Sequence, residues 1–212
     1  MRSIVLLSDI KYENVVNLPL LKIEYLPSIV DLLQYDALIF TSKNAIYSID
    51  SFNKDWKNIP SYCIAPKTAT AVEAYNGQTA FIGESSHGNS FAKELIPLLK
   101  DKRCLYVCAQ KTVSSLVEIL QDNGIDINSL VTYKTACNEK QFEQPKSNSI
   151  IIFSSPSTVE CFFKRFKWNE SYKAVVIGKT TAKYLPDNID FIASEKQSID
   201  ACIELARTLQ RD

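Results

Sequence analysis

Short apolar runs rich in β-branched residues recur along the whole chain, and between them the apolar residues switch to helical spacing. That alternation is the signature of parallel α/β architecture. The runs predict strands at 3–7, 37–41, 61–65, 79–82, 103–108, 149–154, 173–178 and 190–193. Phe91, Leu95, Leu98 and Leu99 recur at helical spacing, as do Val113, Leu116, Val117 and Leu120, and again Ile199, Cys202, Ile203 and Ala206. Those stripes read as core faces. Gly77 and Gly124 sit just past helical segments, where a left-handed residue is wanted.

The chain also resembles itself. LIFTSKNAI (38–46) lines up with IIFSSPSTV (151–159), and at the same offset CIAPKTATA (63–71) meets VIGKTTAKY (176–184). After a small change in spacing, FIGES (81–85) meets FIASE (191–195) and KELIPLL (93–99) meets IELARTL (203–209). Ordered matches with hydroxyl residues at corresponding strand ends predict two copies of one α/β unit. A length of 212 residues accommodates one large domain or two small ones. Segment 136–148 is polar and contains a proline, as a connector should, while 20–26 and 130–135 alternate like strands and would cross between the domains as a thin hinge.

Composition removes several functions. With 24 Lys plus Arg against 24 Asp plus Glu the net charge is zero, unlike the one-sided basic field of a nucleic-acid binder. The N-terminal apolar run Ile4 to Leu7 is followed at once by Asp9 and Lys11, far short of a signal peptide, and no run approaches a membrane span, so a soluble, intracellular chain is expected. Cys63, Cys104, Cys108, Cys137, Cys161 and Cys202 show no CxxC pairing and read as reduced core residues. His87, in an SSHGN loop, is the single histidine and reads as an ordinary loop residue, so no metal site is expected. Among five glycines neither GxGxxG nor GxxxxGK[ST] occurs, against both common nucleotide-binding types.

Parallel sheets bind ligands beyond the carboxyl ends of their strands, where helix N-termini present N–H groups. Here those ends are hydroxyl-rich: Thr41 and Ser42 close one strand, Ser154, Ser155 and Ser157 its repeat mate, and Thr68 matches Thr180 and Thr181 beside Gly178. The plain reading is helix capping, each cap contributing about 1 kcal/mol. The functional reading is that two facing sets of donors, with Lys43, Lys67, Lys111, Lys179 and Lys183 nearby, receive a multiply anionic ligand in a cleft. Tyr133, in the crossover VTYKT, is either a packing residue of a half-buried strand or a phenol able to donate a proton to a leaving group.

The ordered set LIFTSKNAI, IAPKTATAVEAYNG, LVEILQDNGIDINSLVTYKT, IIFSSPSTVECF and VVIGKTTAKYL resembles the uroporphyrinogen-III synthase family over nearly the whole chain. The resemblance implies two similar flavodoxin-like α/β domains joined by a two-stranded linker, with the N-terminal strand completing the C-terminal domain's sheet. The domains would be 1–19 with 139–212, and 27–129, with linker strands at 20–26 and 130–138. It implies cyclisation of hydroxymethylbilane, a carboxylate-rich linear tetrapyrrole, to uroporphyrinogen III with inversion of ring D and loss of water, through an azafulvene and a spiro-pyrrolenine. No metal or organic cofactor is implied, and a cytoplasmic monomer without nucleic-acid or membrane partners is expected. The family's binding hydroxyls fall on Thr41, Ser42, Thr68, Ser155, Thr180 and Thr181, and its crossover tyrosine, the candidate catalytic residue, on Tyr133. Lys43, Ser154, Ser157 and Gly178 complete the candidate binding set.

The chain departs from the family where Ala65 replaces a common glycine, where Cys108, Ala109 and Gln110 replace a frequent Arg-Gly ending, and where Lys43 replaces a common proline. Asn44 follows at an often basic position, and whether nearby Lys111 replaces the missing arginine's charge is left open by the sequence. The competing reading is a non-catalytic two-domain binding protein for a small anionic metabolite, which the same hinge and helix N-termini would serve.

Overall fold

The computed structural model describes residues 2–85 and 87–211, so Ser86 of the loop carrying His87, and the terminal Met1 and Asp212, lie outside the described residues. In chain order the strands are β1 (Ile4–Leu6), β2 (Val15–Asn17), β3 (Leu21–Tyr25), β4 (Ala37–Phe40), β5 (Ser61–Cys63), β6 (Thr79–Ile82), β7 (Arg103–Ala109), β8 (Asp126–Cys137), β9 (Ile150–Phe153), β10 (Lys173–Val176) and β11 (Phe191–Ala193). The helices are α1 (Lys43–Phe52), α2 (Pro66–Ala74), α3 (Gly88–Leu95), α4 (Leu116–Asp122), α5 (Pro156–Arg165), α6 (Lys179–Ala182) and α7 (Ile199–Arg211). The chain divides into two compact units, 1–22 with 135–212, and 23–134.

The discontinuous unit carries a sheet in the order β11-β10-β9-β1-β2, every pair parallel. Strand alternation sends Val5, Ile151, Phe153 and Val176 to the face covered by α5, and Ile4, Leu6, Ile150, Ile152 and Val175 to the face covered by α7. Burial on both faces is why β1 and β9 are apolar without interruption. Helix α5 starts with a reciprocal cap: Thr158 N–H donates to Ser155 Oγ (3.3 Å), Ser155 N–H donates to Thr158 Oγ1 (3.1 Å), and Pro156 occupies the first helical position.

One expectation about cysteines is overturned here. Cys137, at the end of β8, and Cys161, on α5, form a disulfide with Cα atoms 5.4 Å apart, so they are not reduced core thiols. The two are 24 residues apart in sequence, a spacing that matches no pairing motif, and only the packing of α5 brings them together. Cys63, Cys104, Cys108 and Cys202 are free and buried.

The continuous unit carries the strand order β3-β8-β7-β4-β5-β6, parallel from β8 to β6. β3 runs against β8, with Leu26 N–H donating to the Thr132 carbonyl. Phe40, Leu38, Leu105 and Val107 face α1 and α2, while Ile39, Tyr106 and Cys108 face α3 and α4. The residue that leaves α2 in the left-handed conformation is Asn76 (φ 60°), not Gly77. Gly77 is needed for a different reason, since a Cβ there would lie 2.5 Å from the Trp56 ring. Gly124 (φ 77°) does end α4 as expected. The α4 stripe begins at Leu116; Val113 lies in the preceding loop, fully exposed.

A β-bulge interrupts β8. Cys108 pairs with Val131 and Ala109 with Tyr133, leaving Thr132 as the extra residue. Thr132 and Tyr133 are consequently both buried, and Tyr133 joins the α1/α2 face that Leu130 also packs against. Strict alternation would have placed Leu130 and Tyr133 on opposite faces.

Candidate active site

In the continuous unit β4 ends at Phe40, and Thr41 and Ser42 lead into α1. Ser42 is the N-cap: its Oγ accepts from Asn44 N–H at 3.2 Å. Thr41 caps nothing. Its Oγ1 lies 2.9 Å from the Tyr106 hydroxyl, in a hydrogen bond that either group could donate. Alternation explains the pairing, because Thr41 continues the face of Ile39 and Tyr106, whereas Ser42 continues the face of Phe40 and Tyr133.

These four side chains line one pocket of about 250 Å³, with Ile64 and Ala109 contributing apolar wall and residues 111–114 the rim. Two phenols therefore flank the carboxyl end of β4, each beside one aliphatic hydroxyl. Burial pushes the Tyr133 phenol above its ordinary value, and a hydrogen bond with Ser42 offsets part of that shift. Burial likewise pushes Tyr106 up, with Thr41 opposing. Both phenols are protonated at neutral pH. The Cys108 thiol, near enough to raise both, is itself pushed up to about 11 by burial and stays a neutral thiol.

The structure gathers only part of the candidate set. Thr41, Ser42, Tyr133 and the exposed Lys111 line the pocket; Lys43 is exposed at the first position of α1, and Thr68 is buried in the first turn of α2, neither of them lining it. Ala65 takes the N-cap position of α2 without a side-chain bond. In the discontinuous unit, half-buried Ser154 and Ser155 follow β9, and Ser157 stands in the first turn of α5. Gly178 precedes α6, with Gln197 3.4 Å from where its Cβ would be, while Thr180 is exposed and Thr181 buried. Lys67, Lys179, Lys183 and His87 are exposed. Among the described residues no cluster of three or more His, Cys, Asp or Glu could hold a metal ion. No helix among them is long and apolar enough to cross a membrane.

Tyr106, Thr112 and Ser114 are pocket residues that the sequence reading did not single out. Tyr106 lies in the strand expected at 103–108, and nothing in that apolar run distinguishes it from a packing residue. Only the β4–β7 register, which sets Ile39 opposite Tyr106, reveals that the phenol reaches Thr41.

Comparison with known proteins bears on the fold and the family. The crystal structure of uroporphyrinogen-III synthetase from Helicobacter pylori 26695 is similar at a TM-score of 0.82 and 34% sequence identity, covering 99% of this chain and 100% of that one. A mutant uroporphyrinogen III synthase from Thermus thermophilus is similar in fold, with a TM-score of 0.53 at 14% identity and coverage of 100% of both chains. No curated protein matches the sequence at a significant level. The family model for uroporphyrinogen-III synthase HemD matches residues 11–204, a span that takes in every residue of the pocket. By that match over nearly its full length, the chain belongs to the uroporphyrinogen-III synthase family.

Proposed function

We propose that this chain converts hydroxymethylbilane into uroporphyrinogen III, with inversion of ring D and loss of water. The observation that carries the reading is that buried Tyr133 and Ser42 line one pocket at the carboxyl end of the sheet. Ser42 Oγ already accepts the Asn44 N–H, so its own hydrogen is available to the Tyr133 oxygen, which leaves the phenolic hydrogen free for a ligand. A phenol so placed donates to the departing ring A hydroxyl, and the Ser42 hydrogen bond stabilises negative charge as it grows on the phenol oxygen.

The pocket volume of about 250 Å³ is small for a whole tetrapyrrole and suits one portion of it. Thr41 and Lys111 offer that portion a hydroxyl and a cation. Ser154, Ser155, Ser157, Gly178, Thr180 and Thr181, with Lys43 and Thr68, are the further residues we assign to binding substrate carboxylates. The same reading takes residues 20–26 and 130–138 as linker strands between domains 1–19 with 139–212 and 27–129, and the protein as a cytoplasmic monomer working without cofactor.

The test supplies freshly made hydroxymethylbilane, with and without a chelator, and separates the product isomers after oxidation. Type III product in both conditions is expected. Only the spontaneous type I isomer would favour the non-catalytic binding protein, and activity lost to chelation and restored by one metal would refute the cofactor-free mechanism.

A further inference from the structure

The pocket holds a second phenol that this mechanism leaves without a task. Tyr106 is 4% exposed, stands on β7 opposite Ile39, and reaches Thr41 Oγ1 at 2.9 Å. Thr41 is free of the capping duty that its neighbour Ser42 performs, so its hydroxyl is oriented by Tyr106 and not by the start of α1. Either hydroxyl can donate in this bond, and the phenol, the more acidic of the two, is the better donor.

We propose that Tyr106 is a positioning residue: it donates to Thr41 Oγ1 and so turns the Thr41 hydroxyl hydrogen into the pocket, toward an anionic oxygen of the substrate. This rests on the synthase reading above. No proton is transferred and no covalent bond changes. Tyr106 shapes ground-state binding, on the opposite face of β4 from the Tyr133–Ser42 pair. Because the substrate oxygen held by Thr41 keeps its charge throughout the reaction, the interaction is equally strong in ground and transition states, and its loss shows in KM.

The experiment compares steady-state kinetics of wild type, Tyr106→Phe, Thr41→Val and the double variant with hydroxymethylbilane. Each single variant is expected to raise KM about three- to tenfold, the scale of one hydrogen bond, with kcat changed less than about twofold. The double variant should be no worse than Thr41→Val, since Tyr106 acts only through that hydroxyl. Multiplying effects, or a Tyr106→Phe KM equal to wild type, overturn the proposal. If Tyr106→Phe does not fold, fluorescence titration with the stable oxidised porphyrin of the product decides the matter in Thr41→Ser and Thr41→Val. Serine should hold the affinity and valine lose it; valine binding as wild type leaves Tyr106 nothing to orient. Wild-type protein that forms no type III isomer refutes the functional reading itself, a result distinct from any of these.

Discussion

Replacing Tyr133 by Phe removes one oxygen from a site that otherwise stays filled. The ring is 7% exposed and packs in the core with Phe40, Val107 and Leu105, so phenylalanine retains nearly all of its apolar contacts. The structural loss is at most one hydrogen bond, about 1 kcal/mol. The chemical loss is larger, since proton donation by a positioned side chain contributes about 10²–10⁴ in rate. The expected result is a kcat lower by about 10² or more with porphyrin binding within about twofold of wild type. Rapid-quench turnover of hydroxymethylbilane, with isomer separation, measures the first quantity, and fluorescence titration the second.

The pH profile adds a condition that packing alone would not meet. The donor form exists below the phenol's pKa, which burial has raised above 10.0, so this group leaves kcat level through the neutral range. It withdraws activity only as pH rises past that value, and the alkaline limb should vanish in the Phe variant. Folded Tyr133→Phe with kcat within about threefold of wild type would refute the acid role. Positioning by the pocket would then have to account for the catalysis.

What the sequence made legible follows from how each element is buried. Strands β1, β4 and β9 are covered on both faces and read as unbroken apolar runs. β2 escaped because it is a short edge strand with Val16 53% exposed, leaving no pattern to read. Val113 fitted the α4 period yet lies in the preceding loop, since spacing alone cannot tell an exposed apolar residue from a helical one. At the site, Ser42 and Tyr133 were visible as residue types, but their meeting depends on the Thr132 bulge, which no local pattern announces. The Cys137–Cys161 bond was hidden for the same reason, being a product of packing between β8 and α5.

Three further outcomes test the scaffold. Cys137→Ser should cost about 3 kcal/mol by reopening the loop that the disulfide closes, and titration of unfolded, unreduced wild-type protein should count four free thiols; a count of six refutes the bond. Asp50 is buried at some desolvation cost, outweighed by Lys54, the Trp56 indole N–H at 3.2 Å and Lys57 at 3.2 Å, so its carboxyl sits below the ordinary 3.8. A lowered folded-state value stabilises above pH 3.8 and is lost as pH falls through it, so Asp50→Asn should cost about 1–3 kcal/mol at pH 7 and progressively less in acid; an equal deficit at pH 7 and pH 3 in urea titrations would contradict this. The last concerns the bulge, where Thr132 is wholly buried and its carbonyl accepts from Leu26 N–H and the Ser48 hydroxyl, while its own Oγ1 has no partner. Valine has the same shape and keeps the carbonyl, so Thr132→Val should retain the bulge, leave Tyr133 in place and remove the cost of an unpaired hydroxyl. A gain of about 1 kcal/mol is expected, about 2–4 °C in melting temperature, with turnover within about twofold of wild type. A variant that is less stable, or that loses activity while remaining folded, would mean that the hydroxyl is engaged in holding Tyr133 and that the bulge does not rest on its backbone bonds alone.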